Sequence, residues 1–465
     1  MDWGWLVSTR WLVLACGKRI IASRQLLKFT LVGPEAVHFC CARLSPTMNR
    51  RWLRFVLGLI ALLMVADFVF RGVGTAAETT RNDFSEVYVG SWLWRHGLNF
   101  YDASLTRATA TQLTGSHVNL VLIYPPTALA LMSPFSFLSW FWANTVWLLL
   151  GLVAVAATII LLIRLAGLQL GEDRALILGA FILAFSPLHQ AFHMGNVALV
   201  AVPFCLLGIY LAEEKRDFAA GFVLTVATAL KPQVGLWVLL FYLIQLRKRF
   251  MAGTLLPATA FLVALFIYPV PAFTLISGYR SNLHYWFDPG RMIGFTEGAM
   301  PFHVNTSQVV FYQLLHRVTL ASVLAQGLFV CGLLVWLFSV WRARFRLSIP
   351  LAISSLLALS FISIYHSVSD VTILTLALCW LLRDQADSLS WSKRATCALF
   401  VLMMLPGHSL LIRSAPHLNA AIAESWWWKL LVARYFIWLL LALNAVLLYA
   451  LTDSAAASQC LEAQT

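Results

Sequence analysis

The sequence predicts an all-α, polytopic integral membrane protein, and three observations predict it. Hydrophobic residues make up 60% of the 465 and charged residues only 11%, more apolar side chain than one soluble core can bury. About a dozen apolar runs approach the roughly 20 residues that a helix needs to cross a bilayer, which implies about 11 to 13 transmembrane helices. The basic residues behind the net charge of +13 fall in short clusters between those runs. Inside hydrocarbon the backbone must satisfy its own hydrogen bonds, so runs of this length read as helices.

Taken in order, residues 1–47 carry Arg10, Lys18, Arg19, Arg24, Lys28 and Arg43 but no apolar run long enough to cross. Met48-Asn-Arg-Arg-Trp-Leu-Arg-Phe then supplies the basic flank of a first span at 52–70. Residues 1–47 are therefore expected to be a mis-assigned or disordered extension, 48–452 the membrane-embedded domain, and 453–465 a polar cytoplasmic tail. With Arg50, Arg51 and Arg54 inside, the first span leads out into a long loop, 71–120. Asp67 and Arg71 stand four apart near its end and are expected to pair. Within the loop, RNDFSEVYVGSWLWRHGLNFYD (81–102) mixes charges with aromatics. It reads as an amphipathic helix on the outer membrane surface, with Asp83 at its start and Tyr88, Trp92 and Trp94 at the interface. Next, Pro125, Pro126 and Pro134 restrict a straight helix over 124–134, so this segment is expected to enter the membrane incompletely.

Further runs follow at 141–163, 197–212, 218–230, 234–246, 251–277, 319–341, 348–365, 369–382, 395–412 and 430–451. Basic turns set their alternation: Arg247, Lys248 and Arg249; Arg342, Arg344 and Arg346; Arg383, Lys393 and Arg394. That positive-inside pattern places a second long loop, 277–317, on the outer side with the first, and it leaves no role for nucleic acid. The alternation closes only if 119–139 is re-entrant or one short run fails to cross. Eight cysteines at 16, 40, 41, 205, 331, 379, 397 and 460 show no CxxC pair and read as apolar filler.

Polar residues capable of chemistry collect on the outer side: Asp83 and Glu86; His189, His193 and Asn196; Lys231 and Gln233; Arg280, His284, Arg291, His303, Asn305 and Gln308; Arg317; His366 and Asp370. Desolvating such groups at a membrane edge is costly, which favours a site over decoration. Lys231 precedes Pro232 between two runs too short to span comfortably, and broken helices are tolerated where they line a cavity. A lysine there suits a phosphate, or else snorkels to the surface.

A chain of short motifs follows in order: Asp83-Phe84 with Gly97 and Tyr101; Tyr124, Pro126 and Pro134; Gly195-Asn196; Lys231-Pro232; Asn305 and Ser307 with Arg317 downstream; and Ile362 or Ser363 with His366. Over roughly residues 50–410 this resembles glycosyltransferase family 87, of the GT-C fold class, which includes polyprenyl-phosphate-mannose-dependent mannosyltransferases. Two departures are a missing glutamine after Gly195 and Asn305-Thr306-Ser307 in place of the usual N-Q-S.

The resemblance implies extracytoplasmic transfer of a hexose, most of all mannose, from a polyprenyl-phosphate donor to a glycan or glycolipid acceptor at the inner (plasma) membrane. It implies Asp83 as general base and His366 beside the donor phosphate. Lys231, Arg317, Arg280 and Arg291 are the further phosphate candidates, and Glu86, Tyr124, Asn196, Gln233, Asn305 and Ser307 the substrate-binding candidates. Inversion is expected, because one base and one leaving group suffice for direct displacement. No cofactor is predicted; Asp83 and Glu86 would be the pair to hold a divalent ion, but no metal site is expected. The rival reading is a transporter or flippase of a lipid-linked sugar, which the broken helix at Lys231-Pro232 suits and the long outer loops and missing internal repeat do not.

Overall fold

The computed structural model describes residues 50–74, 83–115, 121–287, 306–343, 348–383, 390–405, 410–411 and 417–462. The chain divides into two units, Met1–Val56 and Leu57–Thr465, and the second holds all but the start of the described helical chain. Among the described residues every regular element is helical.

The chain runs through α1 (Arg50–Phe68, prolonged by a π-helical turn Val69–Val73), α2 (Asp83–Arg95), α3 (Ala103–Thr114), α4 (Pro126–Met132), α5 (Trp140–Leu165), α6 (Asp173–Leu183) and α7 (Ser186–Met194). It continues with α8 (Ala198–Glu213), α9 (Asp217–Leu230), α10 (Pro232–Leu243), α11 (Lys248–Phe266), α12 (Ala272–Phe287), α13 (Ser307–Leu315), α14 (Val318–Arg342) and α15 (Ile349–Phe361). A 3₁₀ segment, Val368–Thr375, leads into α16 (Leu376–Arg383), and α17 (Trp391–Met404) and α18 (Tyr435–Glu462) follow.

Among the described residues five stretches are long and apolar enough to cross a membrane, fewer than the 11 to 13 expected from the apolar runs: Arg54–Val73, Trp140–Leu165, Lys248–Phe266, Val318–Arg342 and Tyr435–Ser454. The α6–α7 pair, bent by 51°, makes a sixth if taken as one span. Helices α8, α9, α10 and α15 are apolar but run only 12 to 16 residues. At about 1.5 Å per residue they fall short of a hydrocarbon layer of roughly 30 Å. Protein surrounds α15, in which every residue from Pro350 to Phe361 is buried, whereas α9 and α10 also leave apolar side chains such as Phe218 and Leu236 exposed. The longer α14 leaves Leu334, Phe338 and Trp341 exposed, the outward face expected of a helix against lipid. Small residues let the short helices approach: Gly221 of α9 and Gly253 of α11 each lie so close to the other helix's backbone that a Cβ would collide with it.

Several boundaries differ from the sequence expectation, each for a local reason. The run at 251–277 ends at Phe266, since Pro269 and Pro271 interrupt it and α12 starts afresh at Ala272. The run at 348–365 stops at Phe361, and the one at 369–382 begins as a 3₁₀ segment. The polar tail from 453 continues helically to Glu462. Residues 124–134 form only the two turns of α4 and a 3₁₀ turn, Ser133–Phe137, so this segment does not cross. Asp67 and Arg71 do pair, at 3.3 Å.

The larger correction concerns α2. It does not lie on a surface: Phe84, Ser85, Val87, Tyr88, Val89, Gly90, Ser91 and Leu93 are all buried. Its apolar side chains form a second hydrophobic cluster with Leu129 of α4, Trp147 of α5, Leu275 of α12 and Tyr268, which precedes α12. Phe84 stacks on Trp147 with ring centroids 4.7 Å apart and planes within 6°. Trp94 stacks on Tyr268, and Tyr88 Oη donates to Leu138 O at 2.9 Å. The aromatics that suggested an interface belt are the packing that fixes this helix in place.

Candidate active site

Asp83 and Glu86 are three apart on α2, so both point off the one face that the hydrophobic cluster does not cover. They look into a cavity of about 360 Å³, lined also by Tyr124, Asn196, Lys231, Gln233, Tyr279, Trp286, Tyr365 and Asp370. That volume lies within the range of roughly 300–1,000 Å³ usual for small-molecule sites.

Each wall is positioned by a break in regular structure. After α7, Gly195 takes a left-handed conformation (φ +62°), and Asn196 N bonds back to Ala191 O at 2.9 Å. Trp147 Nε1 donates to Gly195 O at 3.1 Å and ties this turn to the α2 packing. Between α9 and α10, Pro232 cannot continue the helix and forces Lys231 into an extended conformation (φ −149°, ψ 90°). The lysine is thereby aimed into the cavity instead of along the helix. The segment 121–124 is held by α12: Asn282 Nδ2 donates to Leu122 O at 2.9 Å and Trp286 Nε1 to Val121 O at 2.7 Å. The loop after α15 brings His366, and the 3₁₀ segment that follows brings Asp370.

These groups form one connected chain. Asn196 Nδ2 donates to Asp83 Oδ2. Asn196 Oδ1 accepts from Lys231 Nζ at 2.5 Å and from Ala198 N at 2.9 Å. Lys231 Nζ meets Asp370 Oδ1 at 2.5 Å, an ion pair whose side chains are only 7% and 1% exposed. His366 Nδ1 stands 3.6 Å from Asp370 Oδ2, and its ring stacks on Phe361 at 4.0 Å.

Burial raises the pKa of Asp83 above the ordinary carboxylate value, with Lys231 and the Asn196 hydrogen bond opposing and Asp370 adding to the rise. Burial, then the neighbouring Asp83 charge, pushes Glu86 up to about 8, so it is largely neutral at pH 7. Burial lowers the pKa of His366 against the pull of Asp370.

The sequence candidates separate cleanly. Asp83, Glu86, Tyr124, Asn196, Lys231 and Gln233 share the cavity. His366 is fully buried behind Asp370 and does not line it, so it does not present a hydrogen-bond donor there. Arg280 and Arg317 are exposed and stand outside the lining. Ser307 is buried, its N donating to Ile362 O at 2.7 Å, and is likewise not in the lining. Arg291 and Asn305 lie outside the described residues. His189 sits elsewhere, 3.9 Å from Asp67. Asp370 carries no role in the sequence reading, though its spacing of four from His366 is a signal available there. The aromatic wall of Tyr279, Trp286, Phe287 and Tyr365 has no distinguishing pattern among so many aromatics. Among the described residues no three His, Cys, Asp or Glu side chains converge as a metal-ligand set.

The model of glycosyltransferase family 87 matches residues 122–367, more than half of the chain. The chain belongs to glycosyltransferase family 87. The family-87 match takes in Tyr124, Asn196, Lys231, Gln233 and His366, while Asp83, Glu86 and Asp370 lie outside it and join the site through the contacts above. No curated protein matches the chain. Among solved structures it is similar to ArnT from Cupriavidus metallidurans in the apo state, at 16% identity over 87% of this chain and 76% of that one, with a TM-score of 0.34. The protein is thus a multi-pass, all-α membrane glycosyltransferase.

Proposed function

We propose that this enzyme transfers a hexose, mannose in the first instance, from a polyprenyl-phosphate donor to a glycan or glycolipid acceptor, in one inverting displacement with Asp83 as the base. The observation that carries the reading is the shared cavity: a carboxylate and an ammonium group enter it side by side, joined through Asn196. Asp83 takes the proton from the acceptor hydroxyl as its oxygen bonds to the anomeric carbon. The carbon–oxygen bond to the phosphate breaks, and the lipid phosphate leaves with the electron pair. A base whose pKa is raised toward the working pH is a better match to that proton.

Lys231 is the only cation lining the cavity among the described residues. An ammonium has three N–H donors. Asp370 and Asn196 engage two of them, and the third is free for a phosphate oxygen. Arg280 and Arg317, both outside the lining, are left as long-range charges at most. Asp370 holds the lysine, and His366 backs Asp370 from outside the cavity. Asp83 and Glu86 sit on one helix, and Asp370, the other carboxylate of the lining, is held in an ion pair with Lys231; this leaves Asp83 as the base of a single displacement. Tyr279, Trp286 and Tyr365 offer ring faces for the sugar. By the basic turns, the site faces the extracytoplasmic side, away from cytosolic nucleotide sugars.

The test is to supply the purified chain with radiolabelled polyprenyl-phosphate-mannose and a lipid-extract acceptor, comparing wild type with Asp83→Asn. Labelled product from wild type alone is expected. Equal product from both removes Asp83 as the base; no product from either, with movement of the lipid-linked sugar across vesicles, favours the flippase.

A further inference from the structure

Asn196 is 3% exposed and each of its amide atoms is engaged. Two groups face its Oδ1, the Lys231 ammonium and the backbone N–H of Ala198, and both are donors only. The amide therefore has one orientation open to it. Its NH₂ must point at Asp83 Oδ2, and that oxygen must be an acceptor. Of the two carboxylate oxygens of Asp83, Oδ2 thus already commits a lone pair to this amide, which leaves Oδ1 as the less committed oxygen for a proton.

We propose that Asn196 is a positioning residue for the base: oriented by Lys231 and Ala198 N, it holds Asp83 Oδ2 as an acceptor so that the proton of the acceptor hydroxyl arrives on Oδ1. This rests on the reading of Asp83 as the base. The same amide carries information between two charges. Withdrawing Lys231 leaves the amide oriented by Ala198 N alone, so the lysine acts on the base through the amide as well as on the phosphate directly. The backbone explains the precision of the arrangement: the left-handed Gly195, the Asn196 N bond to Ala191 O and the Trp147 bond to Gly195 O leave the side chain no slack. The titratable and charged groups facing Asp83 are Glu86 from its own helix, Lys231 from the α9–α10 break, Asp370 from the 3₁₀ segment and the phenols of Tyr124 and Tyr365.

The experiment measures kcat and the donor KM against pH for the purified full-length chain and for Asn196→Asp, with radiolabelled polyprenyl-phosphate-mannose and the lipid-extract acceptor. Asn196→Asp keeps the volume and the oxygen that accepts from Lys231 and Ala198, but it sets an acceptor against Asp83 Oδ2. The two carboxylates must then share a proton, so the acid limb of kcat is expected to move to higher pH by about one unit or more. Loss of kcat near neutrality is expected to reach about tenfold or more, with the donor KM changing less than about twofold. If Asn196→Asp fails to give monodisperse protein, Asn196→Ser, which keeps one hydrogen bond at this point, is expected to show a smaller shift in the same direction. A wild-type limb in the variant that folds overturns the proposal, as does a fall in kcat with the limb unmoved, which is what a purely structural role produces. Full activity in Asp83→Asn would sink the base reading itself, and it is seen without any change at Asn196.

Discussion

Two polar clusters in this chain each pair a basic side chain with a carboxylate, and they differ in how far they are withdrawn from water. Near the basic turns, Arg247 meets Asp217 at 2.5 Å and Gln245 at 2.8 and 3.1 Å, and lies over the Tyr242 ring. Arg383 meets Glu213 at 3.3 Å and Leu165 O at 2.6 Å. These side chains are 18–31% exposed, so water shares in solvating both members of each pair. At the candidate active site the Lys231–Asp370 pair is almost wholly withdrawn from water, and Asp83 and Lys231 both line a cavity. Buried charge with unspent hydrogen-bonding capacity is costly unless a ligand uses it, and that separates a site from an anchor.

The contrast between the clusters breaks first at Asp83. Asp83→Asn preserves the shape but cannot accept the proton, and the transfer rate is expected to fall between roughly 100-fold and 10,000-fold, measured as labelled glycan formed. Next comes Lys231→Met, which leaves Asp370 charged and buried without its partner. A loss of stability of about 3–5 kcal/mol is expected from thermal unfolding in detergent, and adding Asp370→Leu should restore much of the stability without the activity. Glu86→Gln tests the neutral carboxyl. A folded pKa of about 8 against the ordinary 4.5 means that the wild-type side chain favours the fold below pH 4.5 and loses that advantage as pH rises toward 8. The variant should therefore melt progressively higher than wild type as pH increases over that window, with activity at neutral pH changed little. An unvarying difference would show that Glu86 is ionised throughout. Smallest of all, Arg383→Ala is expected to cost about 1 kcal/mol or less and to leave transfer intact; a large loss of transfer would erase the distinction between the two clusters.

Much of the site is legible in the sequence alone. Asp83 and Glu86 at a spacing of three, Asn196 after a glycine, Lys231 before a proline and Tyr124 before two prolines are local signals, each marking a place where a helix must break or turn a polar face. The arginines mislead because charge on the correct side of a membrane says nothing about which way a loop carries it. Arg280 lies on α12, whose Tyr279, Leu283 and Trp286 line the cavity while Arg280 itself is exposed. The burial of α2 escapes the sequence for a related reason: a helix with aromatics among charges reads as interfacial until its partners, Trp147 and Tyr268, are known to come back from distant segments.

The class of protein, the family, the positions of most apolar helices and the identities of six cavity side chains can be read from local pattern, because hydropathy over 20 residues and proline or glycine at a break act locally; which of those helices are long enough to span cannot. Packing between distant segments is what brings Lys231 to Asp370 and sets Asn196 between Lys231 and Asp83, the latter 113 residues earlier in the chain. Both are long-range pairings of buried groups, set by which helices pack together, and no local pattern in a sequence encodes them.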